Sequence, residues 1–355
     1  MQTYEKLGCE IIGNVLGIKN DLLKLNFGPL SINYFSYTFS CVGLSYRGNE
    51  LDLYLKIPAE DLRLRSKDVD SIQEADRQLA RNEVQSLIFL NEKWIPIDGV
   101  SWVEFIGFSE LHNAILTRRI YGVEAIDCLR KWDYLRRIGC IGDADRLNNF
   151  MRRLGRGFGK FHSDNSIKKG FSYREIKTKL RLYIGRIDIA DRNKRLYISL
   201  INMINNIPDK DWVGTAAPTL KGVDIRNIML DKDKNIFLLD PGRLKLTNLE
   251  SDLARLIMTY RIIFWGKFIF PLIRCPSYNA EREFLNGYTK SGNLINQNLF
   301  HLLLLKEMLK HWDTANKSLQ LKQWPKFIKQ FLRLIYIDIF YNNQVNGQLK
   351  KIIYE

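Results

Sequence analysis

The segment at residues 220–242 constrains the fold more than any other part of the sequence. Two apolar runs, 228–230 and 236–239, are separated by a short polar turn, which is typical of two antiparallel strands. Asn227 directly precedes the first run and Asp240 directly follows the second. Pairing of the strands brings these two side chains to the same end of the hairpin. Their amide and carboxylate oxygens are ligands that Mg²⁺ prefers, so the segment predicts a metal site.

Asn227 and the sequence Asp240-Pro241-Gly242 resemble the metal-binding half of the protein-kinase-like fold. This group includes aminoglycoside, choline and lipopolysaccharide-core kinases. The resemblance implies an α+β, two-lobed chain, with a small antiparallel-sheet N-lobe at 1–120 and a larger helical C-lobe at 121–355. The hairpin at 220–242 would belong to the C-lobe. The alternative is an ordinary hairpin with a polar turn and a capping Asp.

The sequence departs from this family at the expected catalytic base. The family places a catalytic Asp five residues before the metal-binding Asn, and this position is Gly222. The His that usually precedes the Asp is replaced by Leu220. Asp224 is the nearest carboxylate and our candidate for the base. This departure leaves three alternatives: Asp224 is the catalytic base, another group is the base, or the protein does not catalyse phosphoryl transfer.

A lysine and a glutamate upstream match two further elements of the family. Residues 41–57 alternate and turn like a β-hairpin, which places Lys56 near the end of the second of these strands. The resemblance implies that Lys56 contacts the α- and β-phosphates of a nucleotide. Residues 74–92 form a predicted helix, and Glu83 resembles the family's glutamate that pairs with this lysine. The alternatives are a solvated lysine and a solvated glutamate, with Glu74 as a weaker candidate for the pairing.

Ser36 and Thr38 are the candidate phosphate contacts in the connection that covers the nucleotide in this fold. Residues 36–40 lack the glycine pattern of protein kinases, but hydroxyls and backbone N–H groups also bind phosphate oxygens. The alternative is a strand with surface hydroxyls. Residues 114–124 resemble the last strand of the small lobe and the hinge that follows it.

Two helical segments complete the resemblance. The helix predicted at 144–162 carries the sequence Leu154-Gly155 and ends at His162, which we interpret as a structural helix-end residue. Residues 250–258 contain Asp252, which we expect to have a structural role at the start of a helix.

The length of the chain allows a two-lobed fold or two small domains, and its cysteine usage fits a reducing compartment. The 355 residues are 46% hydrophobic, enough for a sizeable core. The five cysteines are scattered and form no Cys-x-x-Cys pair, which argues against a zinc site or a disulfide scaffold. Because no signal peptide and no membrane-spanning apolar run is evident, we expect a cytoplasmic protein, with possible peripheral contact at the inner face of the membrane.

The net charge of +15 indicates an anionic partner. Nucleic acid is disfavoured because no nucleic-acid-binding motif is present. An anionic glycan, a small-molecule acceptor or a membrane surface fits better. Basic residues are concentrated at 136–137 with 152–153, at 168–195, and at 317–335, where they alternate with aromatic and aliphatic residues. The last segment is either an interfacial helix or a terminal helix with a solvated basic face.

These observations lead to three hypotheses. The first is an ATP- and Mg²⁺-dependent phosphotransferase acting on a hydroxyl, with a sugar or cell-envelope glycan as the favoured acceptor. In this hypothesis Lys56 contacts the nucleotide phosphates and Glu83 pairs with Lys56. Asn227 and Asp240 bind Mg²⁺, and Asp224 is the base. The second is a non-catalytic, kinase-like nucleotide-binding module. The third is an unrelated basic protein that binds nucleic acid.

Overall fold

The computed structural model of the protein describes residues 3–18, 25–33, 35–46, 48–59, 72–137, 140–263 and 278–352. The chain divides into two units. The first unit contains three segments: Met1–Glu124, Leu220–Gly222 and Asn227–Lys245. The second contains the remaining three: Ala125–Thr219, Val223–Arg226 and Leu246–Glu355.

The first unit is built mainly of strands, with two helices among its described residues. Its elements in chain order are α1 (Thr3–Leu16), β1 (Asn26–Phe27), β2 (Ser31–Ile32), β3 (Ser36–Tyr46), β4 (Asn49–Pro58), α2 (Glu74–Lys93), β5 (Val100–Trp102), β6 (Phe105–Ser109), β7 (Ala114–Arg118) and β8 (Gly122–Glu124), joined later in the chain by β11 (Ile228–Asp231) and β12 (Ile236–Leu238).

An antiparallel sheet in the order β1-β3-β4-β7-β6 forms the body of this unit, with β2 paired to β3. The predicted hairpin at 41–57 is present as β3 and β4. Leu51, Leu53 and Leu55 alternate along β4 and are buried, as the period of a half-buried strand requires. Ile11 and Ile12 of α1 pack into the same apolar cluster, so α1 closes one face of the sheet.

A second sheet, in the order β5-β12-β11-β8, contains the hairpin at 220–242. The predicted strands pair antiparallel as β11 and β12. Strand β12 also pairs parallel with β5, and β11 pairs with β8. Because of these backbone hydrogen bonds the hairpin groups with the first unit, whereas the sequence assigned it to the helical lobe.

The second unit is mainly helical. The elements that lie wholly or mostly in it are α3 (Ala125–Arg137), α4 (Ile141–Asp164), β9 (Ile167–Ser172), α5 (Tyr173–Ile187), α6 (Ile189–Arg192), α7 (Lys194–Asn206), β10 (Asp211–Leu220), a 3₁₀ turn (Ile225–Asn227), β13 (Leu244–Asn248), α8 (Glu250–Ile263), α9 (Tyr278–Thr289), α10 (Gln297–Gln320), α11 (Lys326–Leu332), a π-helical segment (Arg333–Asp338) and α12 (Ile339–Leu349). The strands form a small sheet in the order β13-β10-β9.

The helix predicted at 144–162 is present as α4, and two of its glycines lie against the backbone of another helix. A Cβ built on Gly155 would lie 2.0 Å from the backbone oxygen of Phe284 in α9. One turn later, a Cβ on Gly159 would lie 2.6 Å from the backbone oxygen of Tyr288. The missing side chains allow the two helix backbones to approach closely.

His162 follows on the same helix and is fully buried. Its Nδ1 lies 2.9 Å from the hydroxyl of Tyr288, and its Nε2 lies 3.4 Å from the carboxylate of Asp252 in α8. His162 therefore contacts both α8 and α9, and Asp252 lies inside the first turn of α8 rather than before it.

Within the part of the chain that the structure describes, no helix has the length and apolar character needed to cross a membrane.

We predict that Gly155→Ala destabilises the protein by about 2 kcal/mol or more, because the new methyl group meets backbone that has no room to move. Gly185→Ala is the matched control, since Gly185 lies in α5 and nothing lies within 4 Å of the position that its Cβ would take. That substitution should be neutral or stabilise by up to about 1 kcal/mol. Urea unfolding of both variants tests this, and equal stabilities would contradict it.

Candidate active site

Asn227 and Asp240 flank the two strands of the hairpin at one end, as the sequence predicts. Ile228 pairs with Leu238, and the backbone N–H of Leu239 donates to the oxygen of Asn227 at 2.9 Å. The strand pairing therefore brings the backbone before β11 beside the backbone after β12. Asn227 and Asp240 therefore lie at the same end of the two paired strands.

Lys56 lies between two carboxylates. It is carried by β4, and its Nζ is 2.8 Å and 2.9 Å from the two carboxylate oxygens of Glu83 on α2. The same nitrogen is 2.8 Å from Oδ1 of Asp240. The ion pair between Lys56 and Glu83 that the family resemblance implies is thus present, and Asp240 is its third member. Residues from three distant parts of the chain meet at one ammonium group.

These three groups differ in exposure. The side chains of Lys56 and Glu83 are 13% and 10% exposed, whereas that of Asp240 is 48% exposed. The two inner groups are thus shielded, and Asp240 presents a carboxylate to solvent. With Lys56 protonated and both acids ionised, the cluster carries a net charge of −1. This charge and the exposed carboxylate favour a cation at Asp240.

Burial and charge act in opposite directions on Lys56. Burial alone lowers the pKa of Lys56, but the carboxylates of Asp240 and Glu83 outweigh it and hold the pKa above its usual value. Burial raises the pKa of Glu83, the Lys56 ammonium opposes this, and the nearby Asp240 carboxylate adds to it. Lys56 is therefore a permanent cation in this cluster across the physiological pH range.

The backbone at Asp240 has an unusual conformation. Its φ is 51°, in the left-handed region that residues other than glycine rarely adopt. Gly242, two residues later, has a φ of 62°. These two positions turn the chain sharply after β12. Such conformations persist where surrounding contacts hold them, and they are concentrated at functional sites.

Ser86 provides one of these contacts, and sequence reasoning missed it. Its buried hydroxyl accepts from the backbone N–H of Leu244 at 3.0 Å, and its one proton lies between two acceptors, the backbone oxygens of Gly242 at 2.6 Å and Asn82 at 2.8 Å. Ser86 follows Glu83 by three residues on α2, so both lie on one face of the helix. A serine at that spacing from Glu83 was the available signal.

Gly222, five residues before Asn227, is in direct contact with the Asp240 segment. Its backbone N–H donates to the oxygen of Pro241 at 2.8 Å, and its oxygen accepts from the side-chain amide of Asn227 at 3.1 Å. A Cβ on Gly222 would lie 2.0 Å from the backbone oxygen of Asp240. No side chain fits at this position with the backbone as it stands.

Asp224, the candidate base, belongs to the second unit and is bound by its neighbour Arg226. The Nε of Arg226 donates to Oδ1 at 2.9 Å, and its terminal nitrogen donates to Oδ2 at 2.5 Å. Oδ1 also accepts from the backbone N–H of Arg226 at 2.8 Å. Both oxygens of Asp224 are therefore engaged, and the side chain is 14% exposed.

Ser36 and Thr38 occupy strand positions, which corresponds to the alternative interpretation of 36–40. They lie in β3, where Ser36 pairs with Pro58 and Thr38 with Lys56. Their side chains are buried, contrary to the expectation of surface hydroxyls, and Thr38 Oγ1 accepts from the amide of Asn33 at 3.2 Å. Alternation along a strand predicts burial on one face only. It did not predict the burial of Ser36 and Thr38, because both faces of β3 are covered at this end.

Comparison with solved structures decides the fold. A choline kinase from Streptococcus pneumoniae is 11% identical, with 99% of both chains covered and a TM-score of 0.50. An ethanolamine kinase from Plasmodium vivax is 10% identical, covering 99% of this chain and 91% of that chain, with a TM-score of 0.53. An aminoglycoside phosphotransferase from Alicyclobacillus acidocaldarius is 10% identical, covering 97% and 94%, with a TM-score of 0.51.

The chain has a protein-kinase-like fold. No protein-family model matches the sequence, and no curated protein is significantly similar to it in sequence. At identities of 10–11% the likeness to the solved structures establishes the architecture alone, because proteins that share a fold differ in function.

We predict that position 222 does not tolerate the acid that the family resemblance implies there. Gly222→Ala and Gly222→Asp should both destabilise the protein by about 2 kcal/mol or more, because each adds a Cβ against the Asp240 backbone. Gly142→Ala is the control, since the space around its Cβ position is open. Urea unfolding is the measurement, and wild-type stability of Gly222→Asp would contradict the steric argument.

The surroundings of Asp224 predict a pH dependence through His311. Burial lowers the pKa of His311 to about 4, with smaller effects from Glu307, Lys310, Asp224 and Arg226. The unfolded chain therefore binds this proton at a higher pH than the folded chain does. The stability that neutral His311 contributes is present above about pH 6.5 and is lost as the pH falls towards 4.

His311→Gln should reduce the loss of stability between pH 6.5 and pH 4 by about 3 kcal/mol. Guanidinium unfolding of wild type and variant across this pH range provides the test. His301→Gln should act in the same direction, because burial also lowers the pKa of His301 to about 4. A His311→Gln effect of equal size at every pH would exclude the titration of His311 as the cause.

Proposed function

We propose that the protein is an ATP- and Mg²⁺-dependent phosphotransferase that acts on a hydroxyl group. The observation that carries the proposal is the position of Lys56 Nζ, 2.8 Å from Glu83 and 2.8 Å from Asp240. A buried, permanently charged ammonium beside an exposed carboxylate suits a bound nucleotide, whose phosphates need a cation from the protein and a metal ion.

Each member of the cluster has a distinct proposed role. Lys56 holds the α- and β-phosphates, and Glu83 orients Lys56 by accepting two hydrogen bonds from it. Ser86 keeps the backbone after Asp240 in place through its two hydrogen bonds. We leave Ser36 and Thr38 out of the phosphate-binding set because their side chains are buried.

Asn227 and Asp240 fit a Mg²⁺ site. Asn227 donates through its amide nitrogen to Gly222, which directs the amide oxygen away from that contact. Asp240 is 48% exposed and oriented by its left-handed backbone. The described residues contain no cluster of three or more His, Cys, Asp or Glu side chains suited to a metal. Two oxygen ligands match an ion that completes its shell with phosphates and water. When bound, the ion would neutralise phosphate charge.

Asp224 remains the proposed base, and Arg226 controls it. A base accepts a proton through a free oxygen lone pair at hydrogen-bond distance from the acceptor hydroxyl. Arg226 occupies both oxygens of Asp224 but is itself 52% exposed, so rotation of its side chain into solvent frees the carboxylate. An acceptor with its own anionic group is suited to draw the Arg226 guanidinium away.

We propose that the acceptor is a sugar hydroxyl on an anionic molecule, such as a cell-envelope glycan. Support comes from the net charge of +15, which exceeds what one nucleotide requires, and from the likeness to solved kinases of small molecules.

A nucleotide-binding module without catalysis is the second candidate. Two observations favour it: Gly222 has no room for a side chain, and Asp224 is neutralised by Arg226. In this alternative the Lys56 cluster still binds Mg-nucleotide, and the basic surface holds a partner.

We predict that Mg-ADP binds wild type and that Lys56→Met and Asp240→Asn each weaken binding at least about tenfold, since each removes a charge-assisted contact. Isothermal titration calorimetry is the measurement. Lys232→Met and Asp233→Asn are matched controls, because these exposed residues lie in the turn at the opposite end of the same hairpin. Equal loss in the control pair, or no binding by wild type, would remove the nucleotide site.

ATP turnover with candidate hydroxyl acceptors separates the two functions. In the phosphotransferase, Asp224→Asn lowers kcat by about 100-fold or more, and Arg226→Ala raises it in the absence of an anionic acceptor. In the non-catalytic module, Mg-ADP binds but no variant turns ATP over.

A further inference from the structure

The segment at residues 321–335 exposes an unusual amount of apolar surface. Phe327 is 70% exposed, Phe331 is 59% exposed and Leu334 is 54% exposed. Trp324, just before α11, is 47% exposed. None of the seven residues of α11 is buried. A helix this short gains little stability by itself, and its aromatic side chains are mostly exposed to solvent.

The exposed side chains lie on one side of the helix. Phe327 and Phe331 are four residues apart in α11, the spacing of neighbours on one helical face, and Leu334 follows three residues later in the π-helical segment. Trp324 lies two residues before the first residue of α11 and is also exposed. We call Trp324, Phe327, Phe331 and Leu334 the apolar face. A continuous exposed face of this kind marks an interaction surface.

The charge around the apolar face has one sign. Between residues 314 and 337 the sequence has five basic residues and no acidic residue. Lys317 pairs with Asp313 and Arg333 lies 3.9 Å from Asp338, and both of these acids lie outside that interval. Lys322 and Lys326 have no ion-pair partner among the described residues. These two lysines lie beside Trp324 and Phe327 in the sequence, so apolar and cationic groups occur together.

The combination of exposed apolar side chains and basic residues favours one kind of binding partner over another. A second copy of the chain would bring the same basic residues against each other, which is unfavourable at close range. An anionic lipid bilayer offers apolar chains to the aromatic side chains and phosphate groups to the lysines. Aromatic residues on one face with Lys and Arg around them are the features of helices that lie in the plane of a bilayer surface.

We propose that the apolar face of residues 324–334, with Lys322 and Lys326 beside it, docks the protein reversibly on an anionic lipid bilayer. The inference stands apart from the phosphotransferase proposal, because the apolar face lies in the second unit and uses none of the nucleotide-binding residues. Each lysine near an anionic surface adds a modest attraction. A few lysines, together with aromatic rings that enter the bilayer surface, therefore give binding that is reversible.

The experiment is co-sedimentation of the full chain with vesicles of phosphatidylcholine, with and without phosphatidylglycerol. We expect binding to the anionic vesicles, at least about tenfold weaker binding without phosphatidylglycerol, and a loss on raising salt from about 0.1 M to about 0.5 M. Phe327→Ser/Phe331→Ser and Lys322→Glu/Lys326→Glu should each weaken binding at least about tenfold. Circular dichroism and Mg-ADP binding of these variants check that they remain folded.

Matched variants elsewhere in the second unit serve as controls. Leu182→Ser/Leu294→Ser removes two exposed leucines, and Lys179→Glu/Lys194→Glu makes the same change of charge at exposed lysines. Both should bind anionic vesicles within about twofold of wild type. Equal losses in these controls, equal binding to phosphatidylcholine alone, or no binding would overturn the proposal. So would a dimer in sedimentation velocity that Phe327→Ser/Phe331→Ser dissociates, since the face would then belong to a second copy.

Discussion

The buried ammonium of Lys56 is the interaction on which the first unit depends. Removing this charge from water is costly, and the cost is offset only because the carboxylates of Glu83 and Asp240 each approach to 2.8 Å. The three residues come from β4, α2 and the segment after β12. The ion cluster therefore specifies how a strand, a helix and a distant hairpin sit within the unit.

The same constraint extends to the backbone around Asp240. For its carboxylate to reach Lys56, Asp240 adopts a left-handed conformation, and Ser86 holds the following backbone by two hydrogen bonds. Gly222 then packs directly against the Asp240 carbonyl. Glycine at position 222 is thus required by the backbone path.

In the second unit, some charged groups have partners within the unit and others are exposed. Asp224 is neutralised locally by Arg226, two residues away, and His162 and Asp252 are buried at the contact between α4, α8 and α9. By contrast, the basic residues at 322 and 326 are left without ion-pair partners among the described residues, beside exposed aromatic rings. Buried polar groups of this unit connect its helices, whereas Lys322 and Lys326 are exposed to solvent.

Local patterns of the sequence determined the hairpin at 228–238, the strand that carries Lys56 and the helix that carries Glu83. Alternation of period two and helical periodicity depend on neighbouring residues, so they are visible without the fold. The order of these elements was also sufficient to indicate the protein-kinase-like architecture. Tertiary structure alone decided that Asp240 joins the ion pair, that Ser86 supports it, that Ser36 and Thr38 are buried, and that Gly222 has no room for a side chain. Each of these depends on a distance between atoms of separate segments, and such distances are set by packing and strand register rather than by local sequence.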